Sequence, residues 1–158
     1  MRKILFVSNT ANFAKFNRPF MRWFKSQGWR VDYASAGEET VLDCDNHYTV
    51  DMARMPFNLK NIKAYKILKS LIQENRYDII HCHTPMGGCL ARLAGQGSGA
   101  KIIYTAHGFH FFKGAPLLNW LIYYPVEKYL ARFTDCLITI NEEDYEIAHK
   151  KFKLHAAV

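Results

Sequence analysis

Ile102-Ile-Tyr-Thr-Ala-His-Gly-Phe-His-Phe111 joins two kinds of chain. Its first half, Ile102 to Ala106, is apolar and β-prone; its second half opens on a His-Gly pair and carries another histidine between aromatics. An apolar run that stops on a small residue reads as a strand buried on both faces, the kind found in parallel sheets. In open α/β sheets, ligands bind outside the carboxyl ends of the strands. His107 is thereby placed at the ligand edge, and Gly108 beside it lets the chain turn and a bound group come close.

Working outward, the chain alternates in the same manner. Strands are predicted over 3–7, 30–35, 47–50, 78–81, 101–105 and 136–139, and helices over 18–27, 58–74, 85–94 and 116–133, the last being the longest. Residues 8–17 read as a polar loop. Pro19 falls in the first turn of the helix that follows, where a missing N–H is harmless, and Gly28 stops that helix. Apolar residues at 62, 65, 68 and 72 keep a helical period. Asn141, followed by Glu142-Glu143-Asp144, caps a final helix with charges that suit its dipole. Strands separated by helices imply a Rossmann-like, doubly wound parallel α/β sheet in a single domain, residues 1–158. The closing run Leu154-His-Ala-Ala-Val is apolar with no turn behind it. The expectation is either a bare last strand or the first half of something larger.

A chain of 158 residues buries roughly 70% of its unfolded surface, enough for a real core. Aromatics reach 15% and the formal net charge is +7, a balance that suits nucleic acid, an anionic membrane face or a phosphorylated ligand. Neither the opening Met-Arg-Lys-Ile-Leu-Phe-Val nor the apolar segment at 115–126 reads as a signal peptide or a membrane span. Four cysteines (Cys44, Cys82, Cys89, Cys136) make no disulfide scaffold, so a reducing cytoplasm is expected.

The first strand–helix loop holds no glycine, and Gly95-Gln-Gly-Ser-Gly99 follows a helix instead of a strand, so a dinucleotide site and an NAD enzyme are both unfavoured. Asn9, Thr10, Asn12 and Asn17 offer amides and a hydroxyl at the ligand edge, either to read sugar hydroxyls or as ordinary turn chemistry. His81 and His83 share a strand face while Cys82 points into the core; with Cys89 they match no zinc spacing, and no metal is expected. His83 and Thr84 then line the mouth of the fourth strand, and Gly87-Gly88 would let a bound group approach the backbone. His107, Gly108, His110, Lys113 and Gly114 share one loop. His107 is expected to bond a sugar hydroxyl or to steady developing charge, against the plain alternative of a packed histidine. Arg18, Arg22 and Lys25 share a helix face, and Lys60, Lys63, Lys66 and Lys69 advance by threes. They form solvated flanks or, beside Trp23, Phe24, Met52 and Met55-Pro-Phe57, a surface for anionic lipid. No nucleic-acid motif accompanies them, so no nucleic acid partner is expected.

Several segments carry a family likeness. Lys3-Ile-Leu-Phe-Val, Trp23-Phe-Lys-Ser-Gln-Gly-Trp-Arg-Val, Asp78-Ile-Ile-His-Cys-His-Thr-Pro-Met-Gly-Gly and Tyr104-Thr-Ala-His-Gly-Phe-His-Phe-Phe-Lys-Gly-Ala-Pro resemble the amino-terminal domain of family 4 glycosyltransferases. Asn119-Trp-Leu-Ile-Tyr-Tyr-Pro-Val-Glu-Lys and Thr139-Ile-Asn-Glu-Glu-Asp-Tyr strengthen the resemblance, which is greatest to bacterial capsular and exopolysaccharide enzymes. It implies half of a GT-B enzyme: retaining chemistry, a nucleotide-sugar donor as substrate, no required metal or cofactor, and an acceptor that is often a polyprenyl-diphosphate-linked sugar at the inner membrane face. The family's cleft histidine maps onto His107, and Asn141 joins the expected substrate-side residues. The resemblance also implies a donor-binding carboxyl-terminal domain as partner, which these 158 residues do not include; Glu142 and Glu143 do not stand in for its paired glutamates. A non-catalytic module resting on membrane or a partner is the rival expectation, and a flavodoxin-like nucleotide binder a weaker one.

Overall fold

The computed structural model describes residues 1–152, 154 and 156–158. Six strands hydrogen-bond in the order β3-β2-β1-β4-β5-β6: β1 Lys3–Ser8, β2 Arg30–Ser35, β3 Asn46–Thr49, β4 Ile79–His83, β5 Lys101–Ala106 and β6 Cys136–Thr139. Every pairing is parallel. The apolar strand residues split by alternation. Ile4, Phe6, Val31 and Tyr33 pack under α1 (Ala14–Ser26), while Leu5, Val7, Ile80, Ile102 and Tyr104 face α2 (Lys60–Asn75), α3 (Pro85–Gly95) and α4 (Leu117–Leu130). A sheet buried on both faces needs strands apolar at consecutive positions, as β1 and β5 are; β2 and β4 bury Asp32, His81 and His83 among their apolar residues. The last helix, α5, spans Glu142–Lys151.

The structure amends several expected boundaries. A 3-10 turn at Ala11–Phe13 leads straight into α1, so most of the expected loop 8–17 is helical and Pro19 lies inside the helix. The buried residues Ala11, Ala14, Asn17 and Met21 extend the helical period upstream of residue 18. Pro19 is tolerated because it and Lys15, whose carbonyl loses its donor, both lie on the exposed face where water can bond. The segment expected as the longest helix tightens into a 3-10 turn at Ala131–Phe133, and α2 is longer. On α2 the buried residues are Asn61, Ala64, Leu68, Leu71 and Ile72; Ile62 is exposed and Tyr65 only half-buried. Gly28 ends α1 with φ +75°, as its sequence position suggested.

Beyond β6, Leu137 and Thr139 donate backbone bonds to Ala156 and Val158, and Leu137 accepts one from Val158. The outer edge of β6 is thus partly covered by a parallel bridge, and not bare. His155 of that terminal run lies outside the described residues. Among the described residues no helix is long and apolar enough to cross a membrane.

Candidate functional site

The carboxyl ends of β1, β4, β5 and β6 bring Asn9, Thr84, His107 and Asn141 to one edge of the sheet. The strand-end rule for open α/β sheets places ligands there. Three imidazoles run in file along that edge. His81 and His83 point to the same face of β4, ring centroids 4.3 Å apart, and His83 Nδ1 lies 3.3 Å from His107 Nε2. His81 Nε2 bonds Thr105 Oγ1 at 2.9 Å. Phe13 closes the file from α1's side, its ring 5.3 Å from that of His83 and 4.8 Å from that of His107. The file grades from buried to open: His81 and His83 are buried, His107 is exposed.

This gradient sets protonation. Burial pushes His81 down to about 4, helped by the charge of His107, and pushes His83 down to about 2, helped by both neighbours. Burial also lowers His107. Neutral rings share one proton across the His83–His107 bond. His83 Nε2 is buried without a partner. An orphaned N–H is rarer in folded proteins than an under-used acceptor, so the proton belongs on His83 Nδ1, which donates to His107 Nε2. His107 then keeps its own proton on Nδ1 and offers the solvent edge a hydrogen-bond donor of fixed tautomer.

The remaining expected residues divide. Asn9 is buried and spent: its Oδ1 accepts from the Thr84 hydroxyl at 2.8 Å and the Gly87 N–H at 2.7 Å, joining the β1 exit to the start of α3. Thr84 itself sits at φ +64°, ψ 151°, a conformation that suits glycine and strains a β-branched residue. Asn12 bonds Glu39, and Asn17 is buried against the Tyr33 hydroxyl. Asn9 and Asn17 are thus occupied inside the protein, while Asn12 stays exposed with one bond to Glu39. The expectation for Gly87 and Gly88 is corrected likewise. A Cβ at Gly88 would stand 2.4 Å from the Tyr104 ring, and one at Gly87 3.1 Å from the backbone at Ser8 and Asn9. Their missing side chains make room for the protein's own packing. Asn141 is the α5 cap: its Oδ1 accepts from Asp144 N at 2.8 Å.

Gly108, at φ +119°, and His110 do face open space, and His110 packs edge-on against Tyr123. Two cavities meet beside them. One of about 310 Å³ touches Thr10, Phe13, Thr84 and His110; another of about 630 Å³ runs under Gly108 and His110 between α2, α3 and α4. His107 lines neither; its ring lies 4.8 Å from that of Phe13, which lines the smaller cavity, and its neighbour Gly108 lines the larger. Among the described residues no cluster of three His, Cys, Asp or Glu side chains could hold a metal ion.

The basic helix face is largely answered. Arg18 and Arg22 both reach Asp43 (2.7 and 3.1 Å), Lys25 reaches Asp45 at 2.6 Å, and Lys60 reaches Asp51 at 3.0 Å; Lys63 is exposed. Sequence reasoning missed two parts of the site. Asp144, buried, accepts from the Phe109 N–H at 3.0 Å, and Glu143 accepts from the Lys113 N–H, so the start of α5 grips the loop after β5. Arg54, on the segment after β3, touches both cavities; the strand-end rule applied to β3 would have found it.

With this geometry in view, comparisons with known proteins agree in kind. The family description "Glycosyl transferase 4-like" fits residues 3–141. EpsD of Bacillus subtilis (strain 168), which bears a glycosyltransferase name, is 51% identical over 148 residues, covering 91% of this chain and 39% of EpsD. An Escherichia coli UDP-Gal:alpha-D-GlcNAc-diphosphoundecaprenol alpha-1,3-galactosyltransferase is 33% identical over 94 residues, covering 59% of this chain and 24% of that enzyme. Sucrose-phosphate synthase from Thermosynechococcus elongatus superposes with a TM-score of 0.72 at 14% identity, over 99% of this chain and 47% of that one, which speaks for the fold alone. The chain spans less than half the length of these relatives.

Proposed function

The chain belongs to the glycosyl transferase 4-like family, and from that premise we propose that its 158 residues form the acceptor-side half of a retaining GT-B glycosyltransferase of surface polysaccharide synthesis. The donor is a nucleotide sugar held mainly by a second, carboxyl-terminal domain. The acceptor is a sugar on polyprenyl diphosphate, presented at the cytoplasmic face of the inner membrane. In the reaction the acceptor hydroxyl oxygen joins the anomeric carbon, the bond from that carbon to the nucleoside diphosphate breaks, and the hydroxyl proton leaves with the diphosphate.

The observation that carries this reading is the exposed His107 ring, fixed in tautomer by the neutral His83 behind it. A donor N–H held at the exposed end of the imidazole file suits an oxygen that gains negative charge as the sugar moves. Peripheral contact with anionic lipid is supported by exposed Lys63, close in sequence to exposed Phe57 and Leu59, and much less by Arg18, Arg22 and Lys25, whose charges Asp43 and Asp45 already answer.

Two measurements test the reading. His107→Ala in the two-domain enzyme should lower kcat by about 100-fold or more, the usual loss of one donor to developing charge. Unchanged transfer would leave only a binding role for this half. The purified 158-residue chain should not turn over a nucleotide sugar; turnover by it would refute the division of labour.

A further inference from the structure

The larger cavity, about 630 Å³, has the volume of a ligand site and the lining of a hydrocarbon site. Ile62 and Tyr65 from α2, Met86 and Leu93 from α3, and Ile122 and Val126 from α4 supply its walls. The one carboxylate that touches it, Glu127, is held by Arg92 through two bonds of 2.8 and 3.0 Å, and the Arg92 guanidinium lies 4.0 Å over the Tyr104 ring. No unanswered carboxylate therefore faces the chamber among the described residues. Its rim is apolar and wet: Phe57 is 90% exposed, Ile62 55% and Val126 45%. Such a patch is the usual mark of a surface that meets lipid or a partner.

The chamber adjoins the smaller, more polar cavity beside the imidazole file, for the two share Arg54, Pro85, Met86 and His110. Arg54 stands at that junction, and unlike Arg18, Arg22, Arg30 and Arg92 it has no ion-pair partner among the described residues. The segment that carries it is held in place, since Asn61 accepts from Ala53 N at 2.9 Å and donates to the Met55 carbonyl at 2.8 Å. A hydrocarbon chamber, a free cation and a polar cavity thus follow one another in space. That is the order of groups in a lipid-diphosphate-sugar.

We infer that the chamber between α2, α3 and α4 takes the isoprenoid chain of the acceptor, with Arg54 on its diphosphate and the acceptor sugar in the smaller cavity beside His110. The inference rests on the acceptor-side reading above and adds where the lipid goes. It is tested on this chain with two probes, N-acetylglucosamine diphosphate esterified to methyl and the same compound esterified to farnesyl. The farnesyl probe should bind about 100-fold tighter, the gain from three or four buried methylene groups. Leu93→Trp, which fills the chamber, and Val126→Trp, on the exposed side of α4, should each remove most of that gain and leave the methyl probe unchanged. Arg54→Gln should weaken both probes by about tenfold, as expected for a lost charge-assisted contact. Only the farnesyl probe should shield Cys89, which lines the chamber, from iodoacetamide.

Equal binding of the two probes, or a farnesyl gain that survives both tryptophan variants, overturns the inference while the acceptor-side reading stands. Farnesyl diphosphate binding as well as the sugar-bearing probe would keep the hydrocarbon chamber and remove the acceptor-side reading. Displacement of the farnesyl probe by phosphatidylglycerol micelles at equal lipid concentration would assign the chamber to bulk membrane lipid, and the inference would fall.

Discussion

Mild acid should destabilise this chain more than its carboxylates alone would, and His83→Phe should remove about half of the excess. In the folded protein His81 is held near 4 and His83 near 2 by burial first and by neighbouring imidazoles second. In the unfolded chain both return to about 6.5. Between these values the unfolded state binds protons that the folded state refuses. The stability gained is therefore complete above about pH 6.5 and drains as the pH falls through the folded values. Each such histidine costs about 1.2 kcal/mol between pH 6 and pH 5, where the free imidazole is mostly protonated. Two cost about 2.4 kcal/mol, a large share of the roughly 5–15 kcal/mol typical of a domain. Phenylalanine at 83 keeps an aromatic ring against Phe6 and Phe13 but cannot take up a proton. Urea unfolding followed by tryptophan fluorescence at pH 7.5, 6.5, 6.0, 5.5 and 5.0 would give the slope of stability against pH for both proteins. The variant should lose about 1.2 kcal/mol less than the wild type between pH 6 and pH 5. Equal slopes would mean that His83 is already protonated or solvated in the native state, and the tautomer argument for His107 would go with it.

Glu127→Ala should cost about 3–5 kcal/mol in chemical denaturation, because it strands a guanidinium that is 1% exposed; adding Arg92→Met should restore part of the loss, and a double variant no better than the single would contradict this. Asp144→Ala should lower stability by about 1–3 kcal/mol and speed amide exchange at Phe109, whose N–H loses its acceptor; unchanged protection there would show that the loop holds itself.

The sheet was legible because a strand buried on both faces leaves a plain mark, and β1 and β5 carry it. So was the position of His107, since it follows from where a strand ends. What a side chain bonds to once it gets there was not. Asn9, Asn12 and Asn17 look alike in sequence, yet one joins two loops, one meets Glu39 and one lies against Tyr33. Gly88 reads as room for a ligand until the Tyr104 ring, sixteen positions along the chain, is seen to occupy that room. The basic face of α1 reads as free charge until Asp43 and Asp45 fold back onto it. In each case the deciding contact is distant in sequence, and periodicity is blind to it. The apolar residues 62 and 65 on α2 show a different limit: a cavity wall and a core wall have the same period, and only packing tells them apart.

Thr84 keeps a backbone shape that glycine would hold with less strain, and its hydroxyl bonds Asn9 in return. A junction so tied has few other shapes to visit. One side of the ligand edge is thereby rigid before anything arrives, and any adjustment of fit falls to side chains on the other side, such as the exposed Arg54 and His110. Partners differing at the end that meets Thr84 should be discriminated sharply, whereas those differing at the opposite end should be tolerated.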